Sequence, residues 1–137
     1  MEELLAYIDA VAAIVPISGS AAAIVPTAVN ASGRDHVCFL ISTGAMATGS
    51  GLSCRVTEST SATGTFTDVT SAALTTVLAA SGGSKVYAID TKVSNTKPYL
   101  KLAGTAGTAA VLHSAVALLY GGSRTFGAPT TTQYVRV

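Results

Sequence analysis

Two histidines (His36, His113) and two cysteines (Cys38, Cys54) are the side chains of this sequence best suited to ligating a metal or attacking a substrate. Zinc sites hold such ligands in short paired spacings, because one turn must present two of them to the same ion. Here each stands inside an apolar run in no finger or ribbon spacing, so satisfied core positions are the expected role. The seven acids are scattered and form no close pair of the kind that glycosidic or phosphoryl chemistry needs. No Gly-x-Ser-x-Gly elbow occurs, and the many evenly spread serines nominate no nucleophile. Gly49-Ser50-Gly51 begins a dinucleotide fingerprint, but Cys54 stands where the third glycine belongs and strands are expected to follow. Walker A is absent, and eight scattered basic residues without a tryptophan make no stacking platform for nucleic acid. The expectation is a protein that is not an enzyme and uses no metal, cofactor or nucleic acid.

Composition points to contact rather than catalysis. Only 11 % of the 137 residues are charged, against roughly a quarter in ordinary domains, and the net charge is +1. No strong field draws nucleic acid or an acidic membrane surface. With 49 % hydrophobic residues the chain is not expected to be disordered. A surface this poor in charge is usually covered, by copies of itself or by a larger assembly. The longest apolar run, Val111–Tyr120, is ten residues, about half of what a helix needs to cross a bilayer, so no membrane partner is expected. The opening Met1-Glu2-Glu3, with Arg34 as the first base, is unlike a signal peptide and predicts cytosolic synthesis. Thiols stay reduced there, so Cys38 and Cys54 are expected as small core side chains. Lying on consecutive predicted strands, they could nonetheless face each other across a hairpin.

The elements that must carry these residues read as follows. Leu4, Leu5, Ile8 and Val11 recur at helical spacing, which predicts a helix over residues 2–13, stopped by Pro16. Ala12-Ala13-Ile14-Val15-Pro16 returns ten residues on as Ala22-Ala23-Ile24-Val25-Pro26, and residues 12–27 read as an extended arm or edge segment. Chance likeness in an alanine-rich chain is the other reading of that repeat. From residue 27 the pattern is β. His36–Ser42 reads as a central strand packed on both faces, and Leu52–Glu58 alternates cleanly. Ser61–Gly64 is a turn, and Thr65–Val69 and Leu74–Leu78 are two further strands. Lys85–Asp90 and Tyr99–Ala103 follow, then a turn at Gly104–Gly107 and a strand at Val111–Tyr120. Short strands at this spacing predict an all-β, jelly-roll-like β-sandwich with an extended or partly helical N-terminal arm. The divisions are an arm over 1–26, a sandwich over 27–122 and a tail over 123–137.

The order of these elements carries a resemblance. Thr57-Glu58-Ser59 leads through a small-residue turn to Gly64-Thr65-Phe66-Thr67-Asp68-Val69, and KVYAID follows at Lys85–Asp90. YLKL at Tyr99–Leu102 then passes through Gly and Thr into the apolar Val111–Tyr120, closed by Gly121-Gly122. Over roughly residues 34 to 122 this resembles small head proteins of tailed bacteriophages. The resemblance implies a capsid decoration (cement) protein: a jelly-roll-like domain, usually trimeric, that sits on the major capsid protein lattice of the virion and stabilises the head. Assembly would take place in the host bacterial cytoplasm. The same order more faintly resembles discoidin-like sugar-binding jelly rolls, so a carbohydrate-binding module is the alternative, as is a tail or baseplate component. Those sugar-binding modules present aromatic and charged side chains at loop tips, whereas the three Phe and five Tyr here fall mostly within strands.

The two ends have apolar residues at regular spacing and no partner nearby in sequence. Leu4, Leu5, Ile8, Ile14, Val15, Ile24 and Val25 of the arm are therefore expected to contact a neighbouring protein. Tyr134, Val135 and Val137 of the tail are expected to do the same, the other reading being that both ends fold back onto their own sandwich.

Overall fold

A computed structural model describes residues 8–19, 24, 26–78, 83–107 and 111–122, all in strands and their connections. Eight strands follow in order: β1 (Ile8–Gly19), β2 (Val29–Asn30), β3 (His36–Met46), β4 (Gly51–Ser59), β5 (Thr67–Leu78), β6 (Val86–Lys92), β7 (Tyr99–Ala106) and β8 (Val111–Tyr120). They form two four-stranded antiparallel sheets, β1-β8-β3-β6 (sheet A) and β2-β7-β4-β5 (sheet B). The first strand pairs with the eighth, the second with the seventh, the third with the sixth and the fourth with the fifth. A long hairpin wound onto itself gives this pairing, and closing it into two facing sheets adds β3·β8 and β4·β7. That is the jelly-roll wrap of two Greek keys, as the alternation and turn spacing predicted.

Period-two alternation builds the interior. On β3, Val37, Phe39 and Ile41 point inwards and are fully buried, while His36, Cys38, Leu40 and Ser42 point outwards. On β8, Val111, Ala115, Ala117 and Leu119 point inwards. Sheet B answers with Leu52, Cys54 and Val56 from β4 and Leu100 and Leu102 from β7. Ile24 and Ala31, outside the strands, also belong to this core, and Ile24 N–H donates to Gly104 O at 3.2 Å.

Several expectations need correction. Residues 8–13 are strand and not helix: Ile8–Gly19 pairs along β8 from Tyr120 back to Val111. A long apolar partner strand and the β-branched residues of this segment outweigh a weak helical spacing. The extended, edge reading holds for 12–19, since β1 is an edge strand of sheet A and Pro16 sits where its register slips between Ile14 and Ile17. The two strands expected at Thr65–Val69 and Leu74–Leu78 are one, β5, which begins only at Thr67 and is interrupted by a bulge at which Ser71 takes a φ of 63°. Cys38 and Cys54 do not share a hairpin, because the wrap sends β3 to sheet A and β4 to sheet B; both thiols are free, and only Cys54 is buried in the core. Residues 2–7, 22–23, 25 and the tail 123–137 lie outside the described residues.

The turn expected at Gly104 is also strand, and β7 runs on to Ala106. Gly104 is there for close approach: a Cβ on it would run into the carbonyl oxygen of Ser53 and come within 3.0 Å of Cys54 Cα. Gly104→Ala must push β7 away from β4 and is expected to cost on the order of 2 kcal/mol in urea unfolding. An unchanged midpoint would mean that the two strands are less closely apposed than this.

Cys54 gives a second expectation. Burial pushes its thiol up to about 11. In the unfolded chain the thiol releases its proton near ~8.5, so between these values the unfolded state binds fewer protons and stability falls as pH rises. The loss amounts to about 3 kcal/mol. Cys54→Ala is less stable at neutral pH but should lack that alkaline slope in denaturant titrations, and an equal slope in both proteins would refute the assignment.

Candidate functional site

The inward side of each strand is spent on the core, so any site must be built from the outward sides and the loops. The outer side of sheet A is a ladder of cross-strand rows. Ile8, Tyr120, His36 and Lys92 make the row at one end. Ala10, Leu118, Cys38 and Asp90 make the next, and Ala12, Val116, Leu40 and Ala88 the third. Ser114, Ser42 and Val86 continue it, and Leu112 covers Gly44 beyond, where an added Cβ would lie 2.8 Å from Leu112 Cβ. Among the described residues the exposed large hydrophobic side chains are Val86 (65 % exposed), Leu112 (51 %) and Val116 (41 %), and all three stand on this face. A shallow depression of about 280 Å³ between Pro16, Gly44 and Leu112 ends the face, with His113 in its lining.

The first two rows carry the polar groups. Tyr120 Oη donates to Asp90 Oδ2 at 2.7 Å, and its ring stacks on His36 at 5.4 Å between centroids. His36 Nδ1 lies 3.8 Å from Asp90 Oδ1, beyond hydrogen-bond reach. The bond to Asp90, then burial and neighbouring charge, pushes the Tyr120 hydroxyl up to about 12. Burial, then the negative charge of Asp90, pushes the Cys38 thiol up as well. A nucleophilic cysteine needs a positive neighbour to hold it as thiolate, and this one faces a carboxylate. The row therefore works as a hydrogen-bonded border to the apolar face.

Sheet B presents the opposite chemistry. Arg55 Nε donates to Asp68 Oδ1 at 2.8 Å, Ser53 and Thr105 bond through their hydroxyls at 3.1 Å, and Lys101 lies 4.0 Å over the Phe66 ring. At its end Lys97 Nζ donates to Glu58 at 3.1 Å and to Thr67 at 3.0 Å. Such exposed pairs add little stability, but they keep the surface wet. Among the described residues the exposed large hydrophobic side chains all stand on sheet A, while the exposed face of sheet B carries ion pairs and hydroxyls.

Of the residues expected to make contacts, the structure describes the side chains of Ile8, Ile14 and Ile24. Ile14 and Ile24 are buried at 3 % and 7 % exposure in their own core and are not offered to a neighbour, because they close the domain itself. Ile8 is half-buried in the first row of the outer face. Val15 belongs to β1, but its side chain lies outside the described residues, as do Leu4, Leu5, Val25, Tyr134, Val135 and Val137. His113 is buried as expected, 5 % exposed, with Nδ1 3.0 Å from Val111 O, but it is not fully satisfied: its buried Nε2 meets no hydrogen-bond partner among the described residues. His36 is not; alternation places it on the outer face together with Cys38. That was the available signal, since Val37, Phe39 and Ile41 inwards force their neighbours outwards. No group of three or more His, Cys, Asp and Glu able to hold a metal ion occurs among the described residues.

Asp90→Asn is expected to return Tyr120 from about 12 towards ~10 in a spectrophotometric titration, as is usual for a free phenol. An unshifted curve would break the link between Tyr120 and Asp90.

The sequence matches no protein-family model and no curated protein, so the unlike chemistry of the two outer faces has to carry the functional reading.

Proposed function

We propose that the protein is a structural virion component of a tailed bacteriophage, a capsid decoration protein that sits as a homo-oligomer on the major capsid protein lattice and stabilises the head. The observation that carries the proposal is the apolar outer face of sheet A. It leaves Val86, Leu112 and Val116 exposed on a domain whose other sheet is laced with ion pairs and hydroxyls. A decoration protein does its work through binding energy, and contiguous apolar area on a rigid sheet is a source of it. The jelly-roll wrap agrees with the fold that the resemblance implies. Scarce charge fits a surface that spends its life covered.

Mass spectrometry of purified virions from the phage that encodes the chain tests this reading. The protein should be present in numbers comparable to the major capsid protein. Heads stripped of it should release DNA at a lower temperature, and adding the purified protein back should restore them. Absence from virions, together with binding on a glycan array, would replace the proposal with the carbohydrate-binding reading.

A further inference from the structure

We infer that copies of this chain meet through the outer face of sheet A, with Leu40, Val116 and Leu118 at the centre of the contact. The inference rests on the reading of the protein as one that acts by contact, and it names the partner of that face as another copy.

Size is the first reason. Four strands at ~4.8 Å spacing and ten residues of β8 at ~3.3 Å rise make a face of ~19 by ~33 Å, or ~600 Å² in flat projection. Two such faces together give ~1,200 Å², which reaches the lower bound of stable specific interfaces only when the whole face is used. A docked helix, ~10 Å across, would leave about half of it wet. The occupant must therefore be broad and flat, and sheet against sheet is the packing that provides this.

Charge is the second reason. The border of the face carries Asp90 and Lys92 on one strand, two residues apart, so it presents both signs and no net field. A strongly acidic or basic partner finds no complement there, whereas an identical copy meets no repulsion. Third, the half-buried Leu40 and Leu118 lie side by side with the exposed Val116, in a layer that contains no charged side chain between Cys38 and Ser42. Depletion of charge at the centre with polar groups at the rim is the anatomy of an interface core.

The test uses Val116→Lys, because that side chain already reaches water in a single copy and the variant should fold. Ser53→Lys, on the outer face of sheet B, is the control. In sedimentation at micromolar concentrations the parent and Ser53→Lys should form the same oligomer, and Val116→Lys should need at least ~10-fold more protein to do so while still melting in one cooperative transition. A parent that stays monomeric, or a Val116→Lys protein that assembles like the parent, overturns the inference. Should Val116→Lys fail to fold, the native thiol of Cys38 serves instead. Its maleimide labelling in the unmodified protein should slow ~10-fold as concentration rises through the assembly range, with Cys54 inert in the core throughout; a rate that ignores concentration overturns the inference. Binding to stripped heads separates the two proposals. If Val116→Lys keeps its oligomer but no longer binds heads, the face belongs to the capsid and this inference fails while the proposed function stands. If the protein assembles through this face yet is absent from virions, the inference stands and the proposed function fails.

Discussion

Phe39 and Ile41 have room in the interior because Ala117 and Ala115 stand directly across from them on β8. This pairing of large with small is the constraint on which the rest of sheet A depends. β8 is apolar on both sides, so hydrophobicity alone does not choose which side faces in. A slip by one residue would turn Val116 and Leu118 into the core and Ala115 and Ala117 out of it. The interior opposite Phe39 is already full, and adding methylenes to a closed core costs ~1–3 kcal/mol per site. Volume, rather than polarity, thus fixes the register of the strand that β1 and β3 both pair with. At these two positions the small side chains face in, and Val116 and Leu118 are left on the outside. An exposed apolar face is the direct consequence.

That consequence explains why the surface was hard to read from the chain. A strand buried on both faces and a strand buried on one face and adhesive on the other have the same sequence pattern. His36–Ser42 and Val111–Tyr120 were both readable as strands, and the turn at Ser61–Gly64 is present, Gly64 N–H donating to Ser61 O at 3.3 Å. Their apolar outward sides read as burial inside the domain. Low charge hinted that something is covered, but composition has no address. Only the pairing of β8 with β3 shows that Leu40, Val116 and Leu118 share one patch.

What the sequence hid elsewhere is non-local in the same sense. The spacing of Leu4, Leu5, Ile8 and Val11 is a local signal for a helix, while the partner that makes Ile8–Gly19 a strand lies a whole domain away in sequence. Gly104 reads as a turn residue until the backbone of Ser53 is seen against it. Cys38 and Cys54 look like hairpin neighbours because they lie on consecutive strands, and a jelly roll sends those strands to opposite sheets. His36, Asp90 and Tyr120 come from three strands and meet only through the register of sheet A. Alternation says which way each points but not which others it meets.

The sheet edges show why association should run through the face. An unprotected edge strand invites pairing by its free backbone groups, and charges, bulges, proline and shortness are the usual means of blocking it. Each edge here carries one. β1 has two register slips, with Pro16 inside the second. β6 is seven residues long with Asp90 and Lys92 on its outward side. In sheet B, β2 is two residues long and β5 is broken by the bulge at Ser71. Open-ended strand addition is thereby disfavoured at all four edges. Face-to-face contact has the opposite character, because a patch of fixed size saturates once covered and closes into a finite oligomer. A fold that blunts its edges while leaving one face apolar permits self-association of bounded size and resists the unbounded kind.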